Sequence, residues 1–441
     1  MPPSPDIART NSPRARIFLL TAIIAGFGLT LFIFYPGVMT YDARYVYEDI
    51  AKHSLGDWQS PVMTVLWSLI DPLAPGPASM FLFIVALYWL AFGLLAFAIA
   101  RRCVWLAFAM VLLALSPPAF VFIGTIWRDV LFACAWLLSA ALVFAFSEST
   151  KKWRVPAQAI AFTLLALGVL LRPNAIIAAP LLGIYIAWPT QFSWKRAAIV
   201  FVPAAIACYA MIQLVYYGAL DATRQNPLHS VLVFDLGGIS HFAQENQYPV
   251  SWSAPENALL LDGCYKPTEW DLYWRYEPCL FVMKKLEGEK IFGTPAMPDA
   301  WKRAAAKHPF AYLQHRASFM WNFLTGANLT MWTDDVYVPE KKVFADRAAF
   351  NALRTVHDAL KPTPLFRAGT WLLICIAVCT LGWRRRETPA GAFAIGVCGS
   401  AALYVLTFAA VGVASDFRYA YFAVLAAIAG AAVIMTPRRQ P

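Results

Sequence analysis

Charge is what this sequence has least of. Only 14% of its 441 residues are Asp, Glu, Lys or Arg, against about a quarter in soluble domains. Residues 80–100 and 103–127 contain none of the four, and each run exceeds the roughly 20 residues that cross about 30 Å of hydrocarbon. Scarcity on this scale, with 60% hydrophobic residues, excludes a cytosolic enzyme, a nucleic-acid-binding domain and a disordered tail. Other signatures are missing too. There is no GxxxxGK loop, no Rossmann glycine fingerprint, no Asp-x-Asp pair, no HExxH, no Cys-x-x-Cys and no GxSxG, which argues against nucleotide handling and against the common metal and serine-hydrolase sites.

What is present is an all-α polytopic pattern. About ten apolar stretches of helical length occur near 17–36, 80–100, 103–125, 130–147, 155–171, 175–190, 197–217, 366–383, 391–411 and 419–436. In a ten-span arrangement the basic clusters all fall on one side: Arg9, Arg14 and Arg16; Arg101 and Arg102; Lys151, Lys152 and Arg154; Lys195 and Arg196; Arg384, Arg385 and Arg386; Arg438 and Arg439. That side holds 15 of the 36 Lys and Arg residues and only three acids, Asp6, Glu148 and Glu387. The positive-inside rule makes it cytoplasmic, with both termini there. The net charge of +10 is thereby spent on orientation and leaves no general basic surface on the other side. The first apolar run is longer than a signal-peptide core and no small-x-small cleavage pattern follows it, so it is expected to stay as a helix.

The organisation expected is an N-terminal module over 1–217 with about seven spans, an outer, mainly helical domain over 218–365, and a C-terminal module over 366–441 with about three spans. The outer side, periplasmic if the membrane is a bacterial inner membrane, also carries a first loop at 37–79. Loops of that length are usually functional. Within the outer segment, DAWKRAAAKHPFAYLQHRASFMWNF alternates aromatic and basic faces at helical spacing and is expected on the domain or membrane surface. Six of the eight cysteines lie in apolar spans; Cys264 and Cys279 alone are outside them, a pair that points to a structural disulfide in an oxidising compartment. Asn328-Leu-Thr is a glycosylation triplet of a kind common by chance.

Ionisable residues at span ends need a reason, because burying them costs at least a few kcal/mol unless something compensates. Four places stand out on the outer side. FYPGVMTYDARYVYEDIAKHSLGDWQSP supplies Asp42, Arg44, His53, Asp57 and Trp58; Asp42 reads either as a helix N-cap or as a catalytic carboxylate. TIWRDVLF places Arg128 and Asp129 between two apolar runs, where a local ion pair is the plainer explanation. LLRPNA places Arg172 before a proline break, with Asn174 beside it. ASDFRYAYF places Asp416, Arg418 and Tyr419 at the mouth of the last span. Taken singly, each is explained by capping or by snorkelling. Together they sit at one depth and supply both carboxylates and guanidinium groups. Arginines hold a lipid phosphate and a carboxylate accepts a proton from an attacking hydroxyl; transfer of a sugar from a polyprenyl phosphate needs both.

The layout resembles the GT-C superfamily of integral-membrane glycosyltransferases, which includes protein O-mannosyltransferases and the lipid A aminoarabinose transferase. Asp42 in MTYDARY resembles the acid that opens the first outer loop in those families, and Asp57-Trp58-Gln59-Ser60-Pro61 the later aromatic and proline-containing part. Asp129 matches a second acid opening the fourth span, Leu171-Arg172-Pro173-Asn174 a basic residue before a helix break, and Arg418-Tyr419 a late Arg-Tyr pair. The resemblance implies that Asp42 and Asp129 are catalytic, with Arg44, His53, Trp58, Arg128, Arg172, Asn174, Asp416, Arg418 and Tyr419 binding substrate. It departs at Asp42-Ala43-Arg44, where many members have two adjacent acids, so a divalent metal, used by some branches, has no support in the residues. The implied donor is a polyprenyl-phosphate sugar and the implied acceptor a glycan, lipid or protein. A lipid-linked sugar flippase and an O-antigen polymerase or ligase are the alternatives.

Overall fold

The computed structural model describes residues 13–327, 331, 344 and 347–437; Asp6, Arg9, Asn328, Arg438 and Arg439 lie outside the described residues. Among these, all regular structure is helical, and extended segments meet only at three isolated bridges, Val38 with Thr125, Gly56 with Thr223 and Glu269 with Ala414. The chain is an all-α polytopic protein. Each of the ten apolar stretches contains a helix, and among the described residues seven helices are long and apolar enough to cross a membrane: Pro13–Phe34, Pro77–Ala100, Arg128–Phe146, Lys151–Leu171, Trp194–Ala219, Pro389–Val411 and Phe417–Ile434.

The stretches near 103–125, 175–190 and 366–383 form shorter helices, Val104–Ala114, Ala179–Ala187 and Ala368–Trp383. Proline ends or delays the first two. Pro117 and Pro118 stand just past Val104–Ala114 and Pro173 opens the 3-10 turn Pro173–Ile177 before Ala179–Ala187, because a proline lacks the N–H that an interior helical position donates; Pro180 sits in the first turn of the second helix, where that N–H has no partner to lose.

Arg128–Phe146 and Phe417–Ile434 form the centre of the bundle, with 89% and 83% of their apolar windows buried, whereas Trp194–Ala219 is only 6% buried and lines the outside. The two central helices meet through Phe132, Trp136 and Phe422, whose rings pack 4.6–5.5 Å apart. Their close neighbour Lys151–Leu171 is admitted by a glycine: a Cβ on Gly168 would overlap the Trp136 indole, which donates to the Leu165 carbonyl at 3.1 Å. Both central helices begin at the same end of the bundle, where Lys151–Leu171 finishes. At the opposite end Arg102 pairs with Glu148 at 2.7 Å, the Phe192 N–H reaches the Arg386 carbonyl at 2.7 Å, and Arg385 donates to the Thr436 carbonyl at 3.1 Å. The basic clusters of the described residues thus gather at one end and the candidate residues at the other.

The segment beyond the span Trp194–Ala219 is helical in turn, with Leu228–Ala243, Ala254–Asp262, Phe281–Gly288, Ala296–Lys307, Pro309–Thr325 and Ala348–Leu360. Here one expectation is corrected. The stretch read as a surface helix is two helices broken at His308-Pro309, and while Phe310, Leu313 and Trp321 are exposed, His315 and Arg316 are buried. They turn inward to Asp235 of Leu228–Ala243: Arg316 lies 2.6 Å and His315 Nε2 3.1 Å from Oδ1, and Trp301 Nε1 donates to Oδ2 at 2.7 Å. A periodic aromatic-and-basic pattern does not reveal that an acid on a distant helix compensates the basic face. Cys264 and Cys279 are joined by a disulfide.

Candidate active site

The first loop folds back across the ends of the central helices. Tyr41–Lys52 forms a helix, and a second, Pro61–Ile70, begins where Ser60 Oγ accepts from the Met63 N–H and Pro61 occupies the first turn. Proline is suited to that position because the first N–H groups have no helical partner. Ser60 Oγ donates to the Leu170 carbonyl at 2.9 Å, which fixes the loop against the end of Lys151–Leu171. Asp57 is tied down on its other side, accepting from Tyr217 at 2.8 Å and from the Gln225 N–H at 2.6 Å. The stretch Asp57–Ser60 is therefore immobilised by the bundle.

This arrangement brings Asp42 to the mouth of the last span. Its Oδ2 lies 2.7 Å from Arg418 Nη1, and Oδ1 accepts from Gln59 Nε2 at 3.2 Å. Arg418 is also 3.3 Å from Asp416 Oδ2 through Nε, and its guanidinium lies 4.8 Å from the Trp127 ring centre and 5.1 Å from that of Tyr419. Asp416 caps the short 3-10 turn Phe417–Ala420 by accepting from the Arg418 N–H at 2.9 Å. A few residues away Arg172 pairs with Asp129 and lies 5.1 Å from the same Tyr419 ring. Tyr419 thus sits within cation–π reach of two guanidinium groups.

The two ion pairs differ in exposure. Asp129 and Arg172 keep 4% and 10% of their side-chain surface, whereas Asp42 keeps 38% and Arg418 17%. One pair is sealed, and the other opens outward through its carboxylate. Burial pushes the Asp42 carboxyl up, but Arg418 and Arg128 outweigh it, and the group is held below the usual carboxylate range. Asp416 goes the other way: burial raises it despite Arg418 beside it. Two carboxyl groups that share Arg418 are thereby pushed in opposite directions, an arrangement typical of acid–base sites. Asp129 also stands in the first turn of Arg128–Phe146, where the helix dipole favours an anion.

The structure draws Asp42, Asp129, Arg128, Arg172, Asp416, Arg418 and Tyr419 together. Arg128 donates to the Trp58 carbonyl at 3.4 Å and acts electrostatically on Asp42. Asn174 stands in the turn Pro173–Ile177 beside Tyr404. Arg44 is turned along its own helix to Glu48, 2.7 Å away, and His53 ends that helix in the left-handed region (φ 51°) as an exposed residue; neither takes part in the ion pairs of the cluster. Sequence reading did not single out Gln59, Trp127, Trp270 or Asp271. Trp127 donates to Thr40 at 2.8 Å and backs Arg418; its one signal was its place directly before Arg128. Among the described residues no group of three or more His, Cys, Asp or Glu side chains is arranged to hold a metal ion.

No protein-family model matches the chain, and no curated protein matches it. Among solved structures, the chain is similar to the crystal structure of ArnT from Cupriavidus metallidurans bound to undecaprenyl phosphate, at 13% identity and a TM-score of 0.34, over 95% of this chain and 77% of that one.

Proposed function

We propose that the protein is a membrane glycosyltransferase that moves a sugar from a polyprenyl-phosphate donor to an acceptor on the outer, periplasmic face of a bacterial inner membrane. The observation that carries the reading is the open ion pair of Asp42 and Arg418 beside the sealed pair of Asp129 and Arg172, both at the end of the bundle away from the basic clusters. Three arginines at the ends of apolar helices form a seat for a lipid phosphate, and Asp42 is the carboxylate that faces outward from it.

In the proposed reaction the donor phosphate takes the place of Asp42 at Arg418. Losing its cationic partner raises the Asp42 pKa toward the range where a general base is effective. Asp42 then accepts the proton of the acceptor hydroxyl or amine as that atom attacks the sugar's anomeric carbon. The bond from that carbon to the phosphate oxygen breaks, and the charge left on the polyprenyl phosphate is taken up by Arg418, Arg172 and Arg128. Electrostatic stabilisation of this kind is usually the largest single contribution to such catalysis. Asp129 holds Arg172 in place.

The test uses full-length protein in nanodiscs with a polyprenyl-phosphate sugar. Asp42→Asn is expected to retain lipid binding while release of free polyprenyl phosphate falls by about 10²–10⁴-fold, the range of general acid–base contributions. Full turnover in that variant ends the assignment of Asp42. Transport of the intact donor without cleavage by the wild-type protein identifies a flippase instead.

A further inference from the structure

The disulfide closes the segment 264–279 into a loop that lies beside Asp42. Two backbone bonds fasten it to the extended segment leading into Asp416: the Trp270 N–H reaches the Val413 carbonyl at 2.9 Å, and the Ser415 N–H reaches the Thr268 carbonyl at 2.7 Å. Fixed there, the loop continues an aromatic row that begins in the first loop. Trp58 and Trp270 have ring centres 6.0 Å apart, and Trp270 and Trp274 5.7 Å apart. Trp270 is buried, Trp58 half-buried and Trp274 40% exposed, so the row runs from the cluster out to solvent.

Polar groups accompany the rings. Asp271 accepts from Trp274 Nε1 at 3.2 Å and is close enough to Asp42 and Arg418 for their charges to act on it. Arg275 places its guanidinium 4.8 Å from the ring centre of Tyr41, the residue before Asp42. Aromatic faces beside a carboxylate and a guanidinium match the two faces of a pyranose: C–H groups pack on the rings, and hydroxyls bond the charged groups. Asp271 and Arg275 lie 3.9 Å apart, and an acyl chain would desolvate this pair while offering it no hydrogen bond. Resting on the transferase reading, we propose that the loop 264–279 and Trp58 form a saccharide subsite, and that the acceptor is therefore a glycan.

The test uses wild-type full-length protein in nanodiscs, titrated by tryptophan fluorescence with three soluble probes: a chitotetraose, a mannotetraose and a maltotetraose. Undecaprenyl phosphate binding is followed in parallel by native mass spectrometry. At least one oligosaccharide is expected to bind saturably, and Trp274→Ala and Asp271→Asn each to weaken it about tenfold, a change equal to one good contact. Both side chains are partly exposed, so retained undecaprenyl phosphate binding certifies that the variants fold. Failure of all three probes to bind the wild type overturns the subsite, and so does unchanged affinity in Trp274→Ala, which would make that ring a membrane-interface anchor. Oligosaccharide binding that behaves as expected in a protein that does not bind undecaprenyl phosphate would remove the transferase reading and leave the subsite standing.

Discussion

Replacing Asp129 by Asn removes a charge from the better sealed of the two ion pairs. Arg172 keeps only 10% of its side-chain surface, so its guanidinium cannot turn to water, and an uncompensated buried charge of this kind costs about 3–5 kcal/mol. The contrast within the same protein is Arg44 with Glu48, at 42% and 34% exposure, where loss of the pair is expected to cost about 0–1 kcal/mol. Asp129→Asn and Glu48→Gln compared by SDS-induced unfolding in mixed micelles should therefore differ by several-fold in stability lost. A second consequence follows if Arg172 belongs to a phosphate seat. In Asp129→Asn an anionic lipid supplies the missing counter-charge, so undecaprenyl phosphate should stabilise the variant more than the wild type. A ligand at one hundred times its Kd stabilises by about 2.7 kcal/mol, and tighter binding to the variant adds to that. A loss below about 1 kcal/mol would refute the claim that the pair is sealed. Equal stabilisation of both proteins by the lipid would refute the place of Arg172 in the seat.

The lowered Asp42 pKa fixes the sign of a pH effect: the carboxylate is ionised in the free protein down to below the usual range near 3.9, and its pair with Arg418 contributes stability that is lost as pH falls through that lowered value. The acid limb of kcat/KM is expected there, whereas the limb of kcat moves to higher pH because bound phosphate takes Arg418; coincident limbs would contradict the exchange of partners. The double variant Cys264→Ser with Cys279→Ser frees a loop of 15 residues of separation, worth about 3 kcal/mol in chain entropy, and should weaken oligosaccharide binding while undecaprenyl phosphate binding stays; loss of both would show that the loop supports the whole cluster. Arg316→Met leaves Asp235 short of a cation and frees the Gly412 carbonyl, to which Arg316 donates at 2.7 Å. A loss of about 3–5 kcal/mol is expected, measured by thermal unfolding, and a loss within 1 kcal/mol would show that His315 and Trp301 alone satisfy Asp235.

What the sequence made legible follows from what each signal measures. Apolar length and the position of basic clusters report on the membrane, so helices and the two ends of the bundle could be read directly. The same signals gave the depth of Asp42, Asp129, Arg172 and Arg418, since a charge beside a charge-free run has few places to go. They could not give pairing. Arg172 meets an acid 43 residues earlier and Arg418 one 376 residues earlier, and nothing in MTYDARY or ASDFRYAYF records which carboxylate faces which guanidinium. His315 and Arg316 show the converse failure: a local pattern reads as a wet surface because the compensating Asp235 lies on another helix. The tryptophans of the disulfide loop were invisible for a third reason, since a Trp in a polar segment reads as an interface anchor until the loop is seen to be fastened at Thr268 and Trp270 to the extended segment that leads into Asp416. That fastening is why the loop bears on chemistry: Asp42 is the open member of its ion pair, and the loop is held beside it.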